Sequence, residues 1–115
     1  MIVYGIKQCD TCRKALKWLE EKNIPHDFHD FRVDGLDKDL LSLMLGSGFA
    51  DVLVNRRSTT WRNLSPEQKA TEGEGLVRLL LENPTLIKRP VFVDGKVLAV
   101  GFSPEQLSKV LKVPG

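Results

Sequence analysis

Residues 90–100 read "PVFVDGKVLAV", two runs rich in β-branched residues on either side of Asp94 and Gly95. An Asp-Gly pair between apolar segments is the strongest short-range hairpin signal, because the tight turn that matches strand twist needs a positive φ, which glycine adopts without steric penalty. Residues 90–93 and 96–100 are therefore predicted to pair antiparallel. A lone two-stranded hairpin is marginally stable in water. Other parts of the chain must supply further strands and a layer of helix to cover its apolar face.

The N-terminal third reads that way. Ile2, Val3 and Tyr4 are a short strand signal ending at Gly5, and Ala15, Leu16, Trp18 and Leu19 recur at helical spacing. The helix is expected to end near Asn23, since Ile24 precedes Pro25 and a residue before proline avoids the α region. "HDFHDFRV", residues 26–33, alternates in part and is predicted as a second strand, parallel to the first through a right-handed crossover. Residues 35–84 carry helical signals in "DKDLLSLMLGSG", "SPEQKAT" and "GEGLVRLLLENP". The tetrapeptide Ser-Pro-Glu-Gln stands at 65–68 and again at 103–106. Each copy puts Ser at an N-cap, Pro at the first helical position and Gln at the third, a recurring capping signal and not an internal repeat. A last amphipathic helix from 103 to about 111 is expected to cover the sheet through Leu107, Val110 and Leu111. The order β-α-β, helices, β-β-α is that of an α/β, thioredoxin-like fold with a mixed sheet. One domain over 1–115 is expected, with a helical insertion over approximately 35–84.

Length and composition agree with one globular domain: 115 residues, 42% hydrophobic and 28% charged. A net charge of +2 is too small a surplus to predict a nucleic-acid or membrane partner. The most apolar window, "GLVRLLLENP", is short and interrupted by Arg78. That is far from the roughly 20 residues a bilayer span needs. Met1 leads straight into "IVY" with no basic or long apolar leader, so the cytosol is the expected compartment. The chain is expected to act as a monomer.

Both cysteines, Cys9 and Cys12, fall where the first strand gives way to the first helix. A sulfur at a helix N-terminus lies near free N–H groups and the positive end of the dipole, which stabilises a thiolate. Cys12 is about one turn further on, within reach of a disulfide that opens and closes. Lys7, Lys14 and especially Arg13 add positive charge to that turn, while Asp10 opposes them. Two other readings compete. Cys9, Cys12, His26 and His29 come close to a zinc-finger spacing. In a finger, however, the histidines share a helix face, whereas here they fall in a predicted strand where an odd separation sends them to opposite faces. Two quietly buried free cysteines are the other reading. In a reducing cytosol a Cys-x-x-Cys reads first as redox chemistry, with no metal or tightly bound cofactor expected. Arg56, Arg57, Lys88 and Arg89 are the remaining cationic residues of interest. Guanidinium binds carboxylates and oxyanions bidentately, and Arg89, beside Pro90, is the best placed for substrate. Trp18 and Trp61 are expected as core or groove walls.

The stretches "VYGIKQCDTCRKAL", "LVNRRSTTWRNL" and "NPTLIKRPVFVDGKVLAVGF" resemble, in order and spacing over nearly the whole chain, the ArsC/Spx family of thioredoxin-like proteins, and within it the small YffB branch. The resemblance implies a cis bond before Pro90, whose backbone faces the reactive cysteine and receives an extended thiol substrate. It implies that Cys9 is the nucleophile. In the glutathione-coupled arsenate reductases of this family three arginines hold the oxyanion. Arg89 matches the second; a gap-free match puts Asn55 at the first, with Arg56 and Arg57 next to it; the third position, around "LAVGFSP", holds no arginine here. Arsenate reductases of this type generally lack a cysteine at the place of Cys12, whereas Spx proteins carry the pair as a redox switch and bind the α-subunit of RNA polymerase. The expected function is a glutathione-dependent thiol–disulfide reductase, with Cys9 attacking and Cys12 resolving. Arg13 and Lys7 support the thiolate, and Arg89, with Arg56 or Arg57, binds the carboxylates of glutathione, the co-substrate. Glutaredoxin-coupled arsenate reduction and an Spx-like regulator are the alternatives.

Overall fold

The computed structural model describes residues 1–112. Strands β1 (Ile2–Gly5), β2 (Asp27–Asp30), β3 (Val91–Asp94) and β4 (Lys96–Val100) form one sheet in the order β2-β1-β3-β4. β1 runs parallel to β2 and antiparallel to β3, and β3 is antiparallel to β4. Seven helices accompany them among the described residues: α1 (Asp10–Glu21), α2 (Lys38–Leu45), α3 (Ala50–Leu53), α4 (Thr59–Arg62), α5 (Pro66–Lys69), α6 (Glu74–Glu82) and α7 (Pro104–Leu111). The element order is the predicted one, an α/β chain with a mixed sheet. The chain forms two compact units, one from Met1–Asp34 with the residues from Arg89 onward, the other Gly35–Lys88. No helix among the described residues is long and apolar enough to cross a membrane.

The sheet unit is organised by register. Val3 stands opposite Phe92, and Phe92 opposite Ala99, so the three share one sheet face. Ala15 and Leu19 from α1 and Leu107 from α7 close over them in one buried cluster, with Trp18 and Phe102 edge-on at its border. The periodicity that buries Cys12, Ala15 and Leu19 is the i, i+3, i+7 stripe of an amphipathic helix. At the hairpin Asp94 pairs with Lys96, which leaves Gly95 alone at the tip with φ +73°. The register shifts between Phe92 and Val93, so Leu98 is the extra residue of a bulge. The bond between Arg89 and Pro90 is cis.

Two expectations need correction. The second strand stops at Asp30 and does not run to Val33. The Asp30 carboxylate draws in the N–H groups of Arg32 and Val33 at 2.7 and 3.2 Å, folding residues 31–34 into a turn. A short acceptor side chain that captures backbone N–H groups two and three residues on competes directly with a strand ladder. On α7, Leu107 is buried and Leu111 packs against the cluster, but Val110 is 43% exposed. At about 100° per residue Val110 lies on the other side of Leu107 from Leu111, and the sheet faces the Leu107–Leu111 side.

In the helical unit α2 packs on α6 and α3, and α4 and α6 meet the 3-10 turn Pro84–Leu86. Leu41, Met44, Leu53, Val77, Leu80, Leu86 and Ile87 are among its buried side chains. Val54 and Ile87 form an antiparallel bridge, flanked by Lys88 N–H donating to Leu53 C=O and Asn55 N–H to Leu86 C=O, both at 2.7 Å. Ser65 and Gln68 exchange both capping-box hydrogen bonds at 3.1 and 2.9 Å, and Ser103 accepts the Gln106 N–H at 3.4 Å.

Candidate functional site

Beyond Gly5 the chain leaves the sheet, and Cys9 N–H donates to Ile6 C=O at 2.9 Å in a turn that delivers the chain to α1. Cys9 is the N-cap of α1, in extended conformation, and its carbonyl accepts the Arg13 N–H at 3.0 Å. A side chain at an N-cap faces the N–H groups that the first helical turn leaves unpaired. Both cysteines are free thiols, Cys9 half-buried and Cys12 fully buried. Cys12 is accommodated by the absence of a side chain on β1. A Cβ placed on Gly5 would lie 2.6 Å from the Cys12 sulfur and 3.5 Å from the Phe28 ring.

The two sulfurs experience opposite electrostatics. Burial acts to raise the Cys9 pKa, but the Cys12 backbone N–H, the Arg89 guanidinium and the Cys12 thiol together outweigh it and hold Cys9 below the ordinary thiol value. Burial also dominates at Cys12 and, with the negative charge on Cys9, pushes that thiol up to about 11; the Ile6 backbone and Arg89 oppose it only in part. The pair is thus a partly exposed thiol of lowered pKa and a buried thiol of raised pKa, three residues apart. Arg89 adjoins the cis bond to Pro90, and the Pro90 carbonyl accepts the Gly101 N–H at 2.8 Å.

The other predicted residues are distributed as follows. Arg13 Nε donates to the Lys7 carbonyl at 3.2 Å, and its guanidinium is 3.7 Å from exposed Asp10, so the cation that bears on the Cys9 sulfur is Arg89. The Lys7 backbone N–H donates to Asp30 Oδ2 at 2.8 Å. Cys9, Cys12, Arg13, Lys7, Arg89 and Pro90 all belong to the sheet unit. Asn55, Arg56 and Arg57 belong to the helical unit, where with Asp51, Val52, Val54 and Lys88 they line an open depression of about 520 Å³. Arg56 is held there, donating to the Asp51 carbonyl at 3.0 Å with its guanidinium 5.5 Å from the centre of the Trp61 ring. His26 Nδ1 lies 2.8 Å from the Ile24 carbonyl, and His29 packs against Tyr4. Among the described residues no three His, Cys, Asp or Glu side chains converge on a possible metal position.

Two residues of this neighbourhood escaped the sequence reading. Gly5 carried a usable signal, since an isolated glycine at a strand end often marks a close approach of another group. Asp30 carried none, being one acidic residue in a polar strand.

The sequence profile of the ArsC family matches residues 4–110. An uncharacterized protein of Haemophilus influenzae is 53% identical over 106 residues, covering 90% of this chain and 92% of that one. The global transcriptional regulator Spx of Listeria innocua is 30% identical over 111 residues, covering 95% and 85%. Among solved structures the protein YFFB superposes with a TM-score of 0.85 at 38% identity, covering 96% of this chain and 97% of that one. With a matching profile over nearly its whole length, a mixed four-stranded sheet and the Cys9 turn in place, the chain belongs to the ArsC family of thioredoxin-like proteins.

Proposed function

We propose that the chain is a glutathione-dependent thiol–disulfide reductase. The observation that carries this reading is the division of labour between its thiols: Cys9 half-exposed with a lowered pKa, Cys12 buried with a raised one. The Cys9 thiolate attacks one sulfur of a disulfide R–S–S–R′, forming a Cys9–S–S–R mixed disulfide and releasing R′–S⁻, which takes a proton from solvent. The step also removes the anion that helps keep Cys12 protonated. Cys12 then loses its proton, attacks the Cys9 sulfur and expels R–S⁻, leaving a Cys9–Cys12 disulfide. Two glutathione thiols reduce that disulfide and become oxidised glutathione, closing a cycle in which every pair of electrons is accounted for. Arg89, whose guanidinium bears on Cys9, and Pro90 are assigned to the wall opposite it. Arg89 is assigned to a carboxylate of glutathione, and Arg13 and Lys7 to the support of the thiolate. Glutaredoxin is a candidate partner for the reduction step.

A glutathionylated peptide with excess glutathione tests the cycle. Cys9→Ser should abolish turnover, while Cys12→Ser should accumulate a Cys9–peptide or Cys9–glutathione adduct visible by intact mass. Retained turnover in Cys9→Ser would sink the reading. The likeness to Spx over 95% of the chain favours a second reading, a redox-sensing regulator in which the same disulfide is a signal and the α-subunit of RNA polymerase is the partner.

A further inference from the structure

Asp30 is a buried carboxylate, 5% exposed, for which the thiol cycle has no chemical use. Its Oδ1 accepts N–H groups from Arg32 and Val33 in its own turn, and its Oδ2 reaches 23 residues back to the Lys7 N–H at 2.8 Å. Three backbone donors meet one side chain that has acceptor capacity for about four. The Lys7 backbone is thereby held from both sides, its N–H by Asp30 and its carbonyl by Arg13 Nε. Lys7 lies inside the turn closed by the Cys9 N–H on the Ile6 carbonyl, two residues before Cys9, so the placement of Lys7 bears on how the turn presents the Cys9 side chain. β1 cannot fix this turn through its ladder, because the strand ends at Gly5.

We propose that Asp30 is a positioning residue for the nucleophile: by holding the Lys7 N–H it keeps the Cys9 sulfur at the mouth of α1, within reach of the Cys12 N–H and Arg89. The inference rests on reading Cys9 as the attacking thiolate. Charge and geometry make opposite demands here. A carboxylate near a thiolate disfavours it, so deleting the negative charge alone would lower the Cys9 pKa, whereas releasing the turn raises it.

Asp30→Asn separates the two, because the amide keeps one acceptor oxygen and replaces the other with a donor. The measurement is the pH profile of Cys9 alkylation by iodoacetamide in the full chain, resolved by mass. The expected result is an upward move of the midpoint by about one pH unit; an unmoved or lowered midpoint overturns the proposal. Asp34→Ala is the control for general loosening, since Asp34 accepts the Asp30 N–H at 2.9 Å while the Lys7 N–H is held by Asp30. It should leave the midpoint in place, and an equal shift would overturn the specific role. If Asp30→Asn does not fold, amide exchange on the parent protein decides. The Lys7 N–H should be protected like the amides of β1, and exchange at the rate of an open loop overturns the proposal. A shifted midpoint in a protein without reductase turnover would support Asp30 while removing the proposed function. A parent midpoint at the free-cysteine value would remove both.

Discussion

Cys9 and Cys12 are the same side chain in two settings, and the difference between them is carried by a few neighbours. Arg89 is the one that bears on both, lowering each thiol by its charge. Replacing it by Gln removes a cation from beside a thiolate, so the sign is an upward shift. The alkylation midpoint of Cys9 in Arg89→Gln is expected to rise toward the free value of about 8.5, with slower reaction at neutral pH. Arg89→Lys should recover part of the shift, because it restores the charge but not the planar fork. A Gln variant with the parent's profile would show that the helix mouth alone activates Cys9. At this scale Cys9 was legible from its place before a helix, and Arg89 from the resemblance carried by "KRP". Asp30 was not, because its role depends on a hydrogen bond to a residue 23 positions away.

The hairpin and β2 are placed by local signals, and their departures from the predicted pattern have local causes. The Asp-Gly hairpin forms as the pattern demands, yet with Gly95 alone at the tip and a bulge at Leu98. β2 is shorter than its alternation suggested because Asp30 diverts the chain into a turn. β1 contributes the space that Cys12 occupies, and that makes Gly5→Ala an informative substitution. Alanine in place of a strand glycine ordinarily stabilises by about 0.5–1 kcal/mol through the unfolded chain. Here the new methyl meets the Cys12 sulfur at 2.6 Å, and overpacking of this kind costs about 1–3 kcal/mol. The expected outcome is a lower urea midpoint for the reduced protein, together with slower closure of the Cys9–Cys12 disulfide as the sulfur is displaced. A variant as stable as its parent would show that the strand yields easily at this point.

For the molecule as a whole the open choice is among reductase, regulator and arsenate enzyme. No arginine follows Arg89 in the chain, and a gap-free match puts Asn55 where the arsenate reductases have their first one. Each lost charge-assisted contact is worth about 1.5–3 kcal/mol, so arsenate-dependent turnover with glutathione and glutaredoxin is expected to stay at background. Retention on the immobilised carboxy-terminal domain of the RNA polymerase α-subunit separates the other two: binding in only one redox state would support the switch, and no binding in either would dispose of it. Legible in the sequence are the order of elements, the Ser65 and Ser103 helix caps, the hairpin and the presence of a thiol at a helix mouth. All of these are read from periodicity and turn chemistry within about a dozen residues. Which cation meets the Cys9 sulfur, that Cys12 is buried against Gly5 and which residue holds the cysteine turn follow from the folded chain alone. These depend on burial and on bonds between residues far apart in the chain, which local periodicity does not record.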